Sequence, residues 1–289
     1  MQIGDYKLHS VQTGLFKLDG GAMFGVVPKP LWQKTNPSDD QNRIDMCTRA
    51  LLLDNGKRKI LIDTGIGYKL SEKVNKIYDV DFSHYTLEKS LEKINLKKDD
   101  ITDVILTHLH FDHTGGSTYY DEERKLKPSF PNATYYVQKK QYEWALNPTE
   151  RDRASFFPEN YKPLEENKVL NLIDGEYKFD ESITLLPVNG HTSSMQMIKI
   201  SDEKNTLLYT ADLIPTAGHI PVPYIMGYDL FPLTTLDEKK KYLKEISDNN
   251  WTVFFEHDPY NECVRIGVNE KGYFVKVGFD VRCDFEQKL

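Results

Sequence analysis

Hydrophobic and polar residues follow two periods along the chain, and their alternation predicts a protein of the α/β class. Apolar and polar residues alternate over residues 6–18, and Gly14 interrupts this stretch, so we expect a strand pair there. Apolar runs at 49–53 and 58–62 flank an Asp-Asn-Gly turn sequence, which predicts a β-hairpin. Leu87, Leu91 and Ile94 recur at helical spacing and predict an amphipathic helix.

The rest of the chain continues this mixture of strand and helix signals. Helices are expected over 139–145 and from the capping-box sequence at 235–238 to residue 246. Residues 119–132 are expected to form a surface loop, and residues 149–167 a long connection that could cover the mouth of a site. Apolar segments predict strands at 104–106, 135–137, 169–173, 183–188, 196–200, 205–210 and 252–255.

Residues 22–32 are apolar but contain several glycines and prolines, so neither period applies to them. We expect a packed loop. This loop either packs in the hydrophobic core or forms the apolar wall of a substrate pocket. In the second case Met23 and Phe24 would contact the substrate.

Composition and charge argue against nucleic acid as a partner. The chain has 289 residues, of which 39% are hydrophobic and 28% charged, and its formal net charge is -7. The longest basic run, Lys239-Lys240-Lys241, fits a solvated helix face rather than a nucleic-acid surface. The length allows one large domain or two small ones.

The cysteines and the N-terminus indicate a cytoplasmic protein without membrane attachment. Cys47, Cys263 and Cys283 form no Cys-x-x-Cys pair, so we expect neither a disulfide framework nor a cysteine zinc site. The first residues do not resemble a secretion signal, and no apolar window approaches the length of a membrane span.

A cluster of metal-capable residues follows the apolar run at 104–106. His108, His110, Asp112 and His113 lie within six positions, and the residues between them are apolar, which is typical of a loop packed at a strand end. Side chains alternate along a strand, so His108 and His110 should face the same side, while the next turn lets Asp112 and His113 reach a second focus. The pattern predicts a metal site.

Other candidate residues also follow predicted strands. His191, Asp212 and His257 each come just after an apolar segment, and the ends of neighbouring strands can converge on one site. Taken singly, each would more often be a hydrogen-bonded structural residue, but together with the motif they favour metal ligands. Asp63 ends the 58–62 strand, where a buried carboxylate needs a partner.

The His-x-His-x-Asp-His sequence after an apolar strand resembles the signature of metallo-β-lactamase-fold hydrolases. The resemblance implies a single domain over residues 1–289 with an αββα sandwich, in which two mixed sheets pack face to face with helices outside. It also implies that Asp63 supports the metal site from behind. The implied ligands are His108, His110 and His191 for one ion, and Asp112, His113 and His257 for the other, with Asp212 bridging.

The implied cofactors are two divalent metal ions per chain. Imidazole and carboxylate ligands suit zinc best among the candidates, while manganese, iron and cobalt are alternatives. A pair of such ions lowers the pKa of a shared water to roughly 7, which creates a nucleophile for carbonyl or phosphoryl centres. Asp112 would then carry a proton between nucleophile and leaving group.

A narrower resemblance, to the YtnP-type quorum-quenching lactonases, rests on residues 18–32, 61–68, 107–114 and 212–216. It implies a hydrolase that opens N-acyl-homoserine lactones or similar lactones, with a small-molecule lactone or ester as substrate and a homodimer as an option. Methyl-parathion-hydrolase relatives share the fold, so phosphotriester hydrolysis is the alternative. A metal-dependent regulator without activity is a third hypothesis, which turnover of any lactone would exclude.

The chain departs from the better-known acyl-homoserine lactonases at two places. Their third histidine lies in Gly-His-Thr-Pro-Gly-His, whereas residues 190–195 read Gly-His-Thr-Ser-Ser-Met. They also carry a tyrosine where this chain has Pro215. Either a metal alone or another residue must then stabilise the carbonyl oxygen. His219 and Tyr228 are the candidates, since both follow Asp212 in a segment expected to cross the site mouth.

Overall fold

The computed structural model describes residues 1–282, so Cys283 lies outside the described residues. The strands are β1 (Gln2–Ile3), β2 (Tyr6–Asp19), β3 (Arg43–Asp54), β4 (Lys59–Ile62), β5 (Asp103–Ile105), β6 (Thr118–Tyr120), β7 (Leu126–Pro128), β8 (Thr134–Gln138), β9 (Leu170–Ile173), β10 (Tyr177–Lys178), β11 (Ile183–Val188), β12 (Met195–Ser201), β13 (Thr206–Tyr209), β14 (Thr252–Phe254), β15 (Cys263–Asn269) and β16 (Gly272–Phe279). The α-helices are α1 (Gly20–Phe24), α2 (Lys29–Trp32), α3 (Glu72–Tyr78), α4 (Leu87–Glu92), α5 (Phe111–Thr114), α6 (Lys139–Leu146), α7 (Lys162–Glu166) and α8 (Pro232–Asp248).

Two seven-stranded mixed sheets form the centre of the fold. The first has the order β1-β2-β3-β4-β5-β8-β9, and the three pairs from β4 to β9 are parallel. The second has the order β10-β11-β12-β13-β14-β15-β16, in which β13 and β14 are the parallel pair. Strands β6 and β7 form a separate two-stranded ribbon.

The two sheets pack face to face, with helices on their outer sides. One apolar core combines side chains of β3 to β5 with side chains of β11 to β14, and α8 adds Leu243 and Ile246 to it. A second core lies between the outer face of the first sheet and helices α4 and α6. The layers therefore follow the order helix, sheet, sheet, helix, and the predicted αββα sandwich is confirmed.

Several local predictions are confirmed and one strand prediction is wrong. The β3–β4 hairpin and helices α4 and α6 lie where the sequence indicates. The expected strand pair over residues 6–18 is instead one strand, β2. Its pairing with β3 shifts register between Gln12 and Gly14, so a β-bulge absorbs the irregularity that Gly14 suggested.

Two predicted loops contain regular structure. Residues 22–32 include the short helices α1 and α2, and the Asp19 carboxylate caps α1 by accepting from the Ala22 backbone N–H at 2.8 Å. Residues 119–132 contain most of the β6–β7 ribbon. No helix within residues 1–282 is long and apolar enough to cross a membrane.

The start of α8 also differs from the prediction. The helix begins at Pro232, three residues before the expected cap Thr235, because proline is well suited to the first turn of a helix. Glu238 does not complete a capping box. Its carboxylate instead accepts from the backbone N–H groups of Asn189 and Gly190, at 2.7 and 3.0 Å, next to His191.

Candidate metal centre

The sequence-predicted ligands come together at the carboxyl ends of strands from both sheets. His108 follows β5 in the first sheet, whereas His191, Asp212 and His257 follow β11, β13 and β14 in the second. All of these side chains are buried. Strand ends from two packed sheets therefore meet at one edge of the sandwich.

The first group consists of His108, His110, His191 and Asp212, whose potential ligand atoms lie within 4.8 Å of one another. His110 Nδ1 lies 3.1 Å from Nε2 of both His108 and His191. The carboxylate of Asp212 lies 3.2 Å from His191 Nε2. Three nitrogens and one carboxylate therefore converge on one small volume.

The second group consists of Asp112, His113 and His257. The Nε2 atoms of His113 and His257 lie 3.0 Å apart, and Asp112 Oδ2 lies 3.8 Å from His257 Nε2. Asp212 reaches this group too, since its Oδ1 lies 3.2 Å from His257 Nε2 and its Oδ2 lies 3.5 Å from His113 Nε2. Asp212 is thus the residue between the two groups.

Hydrogen bonds behind the first group orient two of its imidazoles. The Nδ1 atom of His108 lies 3.0 Å from the Thr107 hydroxyl, which itself donates to Asp63 at 2.7 Å. His191 Nδ1 lies 2.8 Å from an Asp229 carboxylate oxygen. With Nδ1 as the donor in each ring, Nε2 presents a lone pair to the group.

The second group is oriented in the same way. His257 Nδ1 donates to the Cys47 carbonyl oxygen at 2.9 Å. His113 Nδ1 faces two carboxylates, Asp63 at 3.1 Å and Glu256 at 2.9 Å. With Nδ1 of each ring engaged, the two Nε2 atoms face each other 3.0 Å apart, an arrangement that a cation between or beside them would stabilise.

A buried carboxylate oxygen that lacks a hydrogen bond agrees with a cation at this place. Within residues 1–282, Oδ1 of Asp212 has no hydrogen-bond partner, although it lies 3.2 Å from His257 Nε2. Buried polar atoms are nearly always paired, so an unpaired carboxylate oxygen needs an explanation. The donor set of imidazoles and carboxylates fits divalent first-row metal ions.

The charges of the site also suit metal binding. Burial and the adjacent imidazoles hold the pKa values of His108 and His110 well below their usual range, which keeps both rings neutral. Burial alone would raise the pKa of Asp212, but His113, His257 and His191 hold it well below its usual range. Asp212 is therefore ionised, as a metal ligand must be.

An apolar pocket of about 250 Å³ opens beside the two groups. Met23 and Tyr228 line it as the sequence suggests, together with Tyr78 and Arg151, which the sequence reasoning did not find. Tyr78 ends helix α3 and stacks on Phe111 of the metal-binding motif, with ring centroids 5.0 Å apart. The pocket combines apolar walls with the candidate ligand residues His110, Asp112, His191, Asp212 and His257.

Phe24 and His219, the other two residues expected to contact the substrate, do not line this pocket. Phe24 packs between Trp32 and His219, with ring centroids 5.3 and 4.3 Å away. Both ring nitrogens of His219 are engaged, with the Thr216 hydroxyl at 2.8 Å and the Met23 carbonyl oxygen at 2.8 Å. These two residues instead support the wall that contains Met23.

Asp63 lies where the sequence reasoning expected it, while Glu256 and Asp229 were missed. Asp63 accepts from the backbone and hydroxyl of Thr107, both at 2.7 Å, and faces His113. Glu256 directly precedes the candidate ligand His257, and that position was its only signal in the sequence. Asp229 is 38 residues from His191, so no local pattern could indicate their contact.

The family model of the Metallo-beta-lactamase superfamily matches residues 48–257. The chain belongs to this superfamily. The match includes every candidate metal ligand, so the resemblance inferred from the sequence is confirmed.

Similar proteins were found both by sequence and by structure. The N-acyl homoserine lactonase AiiA of Bacillus thuringiensis subsp. kurstaki is 29% identical over 172 residues, or 58% of this chain, and the alignment spans only 60% of that relative. A probable metal-dependent hydrolase from Staphylococcus aureus has a TM-score of 0.86 at 29% identity, covering 96% of this chain and all of the other. The dizinc quorum-quenching lactonase AidC has a TM-score of 0.79 at 24% identity, covering 97% and 96%. The structural similarity to AidC concerns the fold alone.

Proposed function

We propose that this chain is a metal-dependent hydrolase that opens the ring of N-acyl homoserine lactones or closely similar lactones. The observation that carries the proposal is the pair of ligand groups shared by Asp212, beside an apolar pocket. The curated relatives include N-acyl homoserine lactonases, which act on molecules of this kind. A pocket with apolar walls suits an acyl chain, and its polar end suits the lactone ring.

We further propose that two divalent ions bind per chain, with zinc as a suitable metal. His108, His110 and His191 would hold one ion, Asp112, His113 and His257 the other, and Asp212 both. When bound, such ions polarise a carbonyl oxygen and lower the pKa of water to roughly 7. We also propose that the chain forms a single domain, because its two sheets share one core.

The residues of the chain then have distinct tasks. Asp112 lines the pocket, and its carboxylate would both hold an ion and move a proton from the attacking water to the leaving alkoxide. Met23 and Met226 provide apolar contact for the acyl chain. Asp63, Glu256 and Asp229 fix the orientation of the ligand imidazoles.

The phenol groups of Tyr78 and Tyr228 are the donors that could stabilise the substrate oxygen. Both residues line the same pocket as Asp112. Burial raises the pKa values of both, so both hydroxyls keep their protons at neutral pH. A protonated hydroxyl can donate to an oxygen that gains negative charge.

A parallel substrate screen tests the proposed function. Purified protein with its metal content measured would be given acyl-homoserine lactones of several chain lengths, simple lactones, thioesters and phosphotriesters. We expect the highest kcat/KM for an acyl-homoserine lactone. A higher kcat/KM for phosphotriesters would replace this proposal with the phosphotriesterase alternative, and no turnover of any compound by metal-loaded protein would refute hydrolase function.

A further inference from the structure

A second cavity, of about 350 Å³, lies beneath the loop that follows the metal-binding motif. It shares no lining residue with the pocket beside the metal groups. Its wall includes Gly116 and Thr118 of the loop that follows the motif, and Thr64, which follows β4. The volume is within the range of cavities that bind small organic molecules.

Lys69 lies in the wall of this cavity without a carboxylate partner among residues 1–282. Its Nζ donates to the carbonyl oxygens of Gly115 and of Thr118, the latter at 2.6 Å. An ammonium group has a third N–H, for which residues 1–282 provide no acceptor. Within the same range no carboxylate lies close enough to Lys69 for an ion pair, whereas Lys98 in the same wall pairs with Glu88 at 2.5 Å.

The surroundings of Lys69 make this charge costly. The side chain is largely buried, and burial lowers the pKa of Lys69 to about 7. Glu159 acts on it only from a distance, and Lys98 repels it. Without a partner, Lys69 is therefore partly neutral at pH 7, and an anion from outside the chain would favour its charged form, because a buried charge is normally paired.

The rest of the cavity wall indicates the shape of that anion. Its apolar and aromatic surface comes from Tyr68, Leu87, Tyr119 and Tyr120. Ser129 is a polar residue of the same wall. The Tyr68 hydroxyl itself donates to Glu88 at 2.7 Å, so its ring is held in place. A flat apolar body with one negative group matches this wall.

We propose that the cavity binds a small organic carboxylate, whose anionic group pairs with Lys69 and whose body lies against Tyr68 and Leu87. The proposal does not depend on which reaction the metal groups perform. Thr64 lines the cavity and donates its hydroxyl to the His113 carbonyl oxygen at 2.9 Å. A bound carboxylate would therefore contact the segment that holds a candidate metal ligand.

Binding of 4-fluorobenzoate, followed by fluorine NMR on metal-loaded protein, tests the proposal. We expect the wild-type chain to bind 4-fluorobenzoate more tightly than the neutral 4-fluorobenzamide. Lys69→Met should weaken benzoate binding by about tenfold or more, the usual effect of losing a hydrogen bond to a charged group. Lys127→Met is the matched control: its exposed side chain lies outside the cavity, so binding should not change.

A second variant keeps the test decisive if Lys69→Met does not fold. Ser129→Leu leaves Lys69 in place but fills part of the cavity, so it should also weaken benzoate binding. A carboxylate bound at the metal groups would keep its signal in both variants. The proposal is refuted if 4-fluorobenzamide binds as tightly as the acid, or if the folded variants retain wild-type affinity.

Discussion

His113 is the ligand residue with the most unusual surroundings, because two buried carboxylates face its single Nδ1–H. Asp63 lies 3.1 Å and Glu256 2.9 Å from this nitrogen. Burial raises the pKa of Glu256 to about 8, and the Tyr209 hydroxyl donates to it at 2.6 Å. The raised pKa favours the neutral form of Glu256.

This assignment predicts that Glu256→Gln is tolerated and that Glu256→Leu is not. Glutamine resembles a neutral carboxylic acid in shape and hydrogen bonding, so metal affinity should change little. Leucine removes the contact to His113 and should weaken metal binding by roughly 10- to 100-fold. Metal titration of the two variants in chelator-buffered solution measures both effects. Equal losses would indicate that Glu256 is ionised.

Asp112 is predicted to bind metal and to move a proton, and these roles can be separated. Asp112→Asn keeps the shape of the side chain but removes its basicity, so turnover should fall by roughly 10² to 10⁴. Kinetics of lactone hydrolysis, with metal content measured on the same sample, provide the test. Unchanged turnover in a metal-loaded variant would exclude the proton-transfer role.

Tyr78 and Tyr228 are the remaining donor candidates now that His219 is known to be engaged elsewhere. If one phenol stabilises the carbonyl oxygen, its replacement by phenylalanine should lower kcat by roughly 10² to 10³ while KM changes little. Steady-state kinetics of Tyr78→Phe and Tyr228→Phe decide this. His219→Gln serves as a comparison, since it should act mainly on stability. If neither phenylalanine variant slows turnover tenfold, oxygen stabilisation belongs to the metals.

Among the secondary-structure elements, α8 is the one that fixes the segment crossing the pocket mouth. Its buried face includes Lys239, which the sequence reasoning placed on a solvated face but which is 0% exposed. The Nζ of Lys239 donates to three backbone carbonyls, those of His219 at 2.7 Å, Pro221 at 3.0 Å and Tyr224 at 2.6 Å. These residues directly precede Met226 and Tyr228 of the pocket wall.

Lys239→Met should therefore destabilise the protein and loosen the pocket. The substitution leaves three buried carbonyls without a donor, and about 1–3 kcal/mol per unpaired group is usual, less where water can enter. Urea unfolding followed by circular dichroism measures the loss. Lys240→Met, the exposed neighbour on the same helix, should change stability by less than about 0.5 kcal/mol. Similar effects of the two substitutions would contradict the anchoring role.

The sequence predicts a secondary-structure element correctly where a single local pattern specifies that element. The Asn-Gly turn determined the β3–β4 hairpin, and helical spacing determined α4. The sequence of residues 22–32 predicts a loop because the helices α1 and α2 are too short to show the hydrophobic period of a helix. Lys239 was misplaced because a run of like charges does not reveal which turn of a helix faces the core.

At the scale of the whole molecule, the candidate metal centre joins the two sheets. Side-chain alternation predicts two foci for His108 to His113, but only the family resemblance assigns His191, Asp212 and His257 to them. The supporting residues Asp229, Tyr78 and Arg151 lie on helix ends and connections. Their positions depend on how distant segments pack together, which local periodicity does not encode.

Because its ligands come from both sheets, bound metal should stabilise the whole fold. We expect about two ions per chain by metal analysis at saturation, and a lower thermal midpoint after chelation, since a ligand that binds only the native state stabilises it. Asp212 reaches both groups, so Asp212→Ala should reduce binding at both and remove most of the chelator-sensitive shift in Tm.

Asp237→Ala, at an exposed position on α8, is the charge-matched control and should behave like the wild type. The bridging role requires both groups to depend on the same carboxylate. It would be contradicted by a saturated wild-type chain that holds one ion. It would also be contradicted by an Asp212→Ala variant that still holds two.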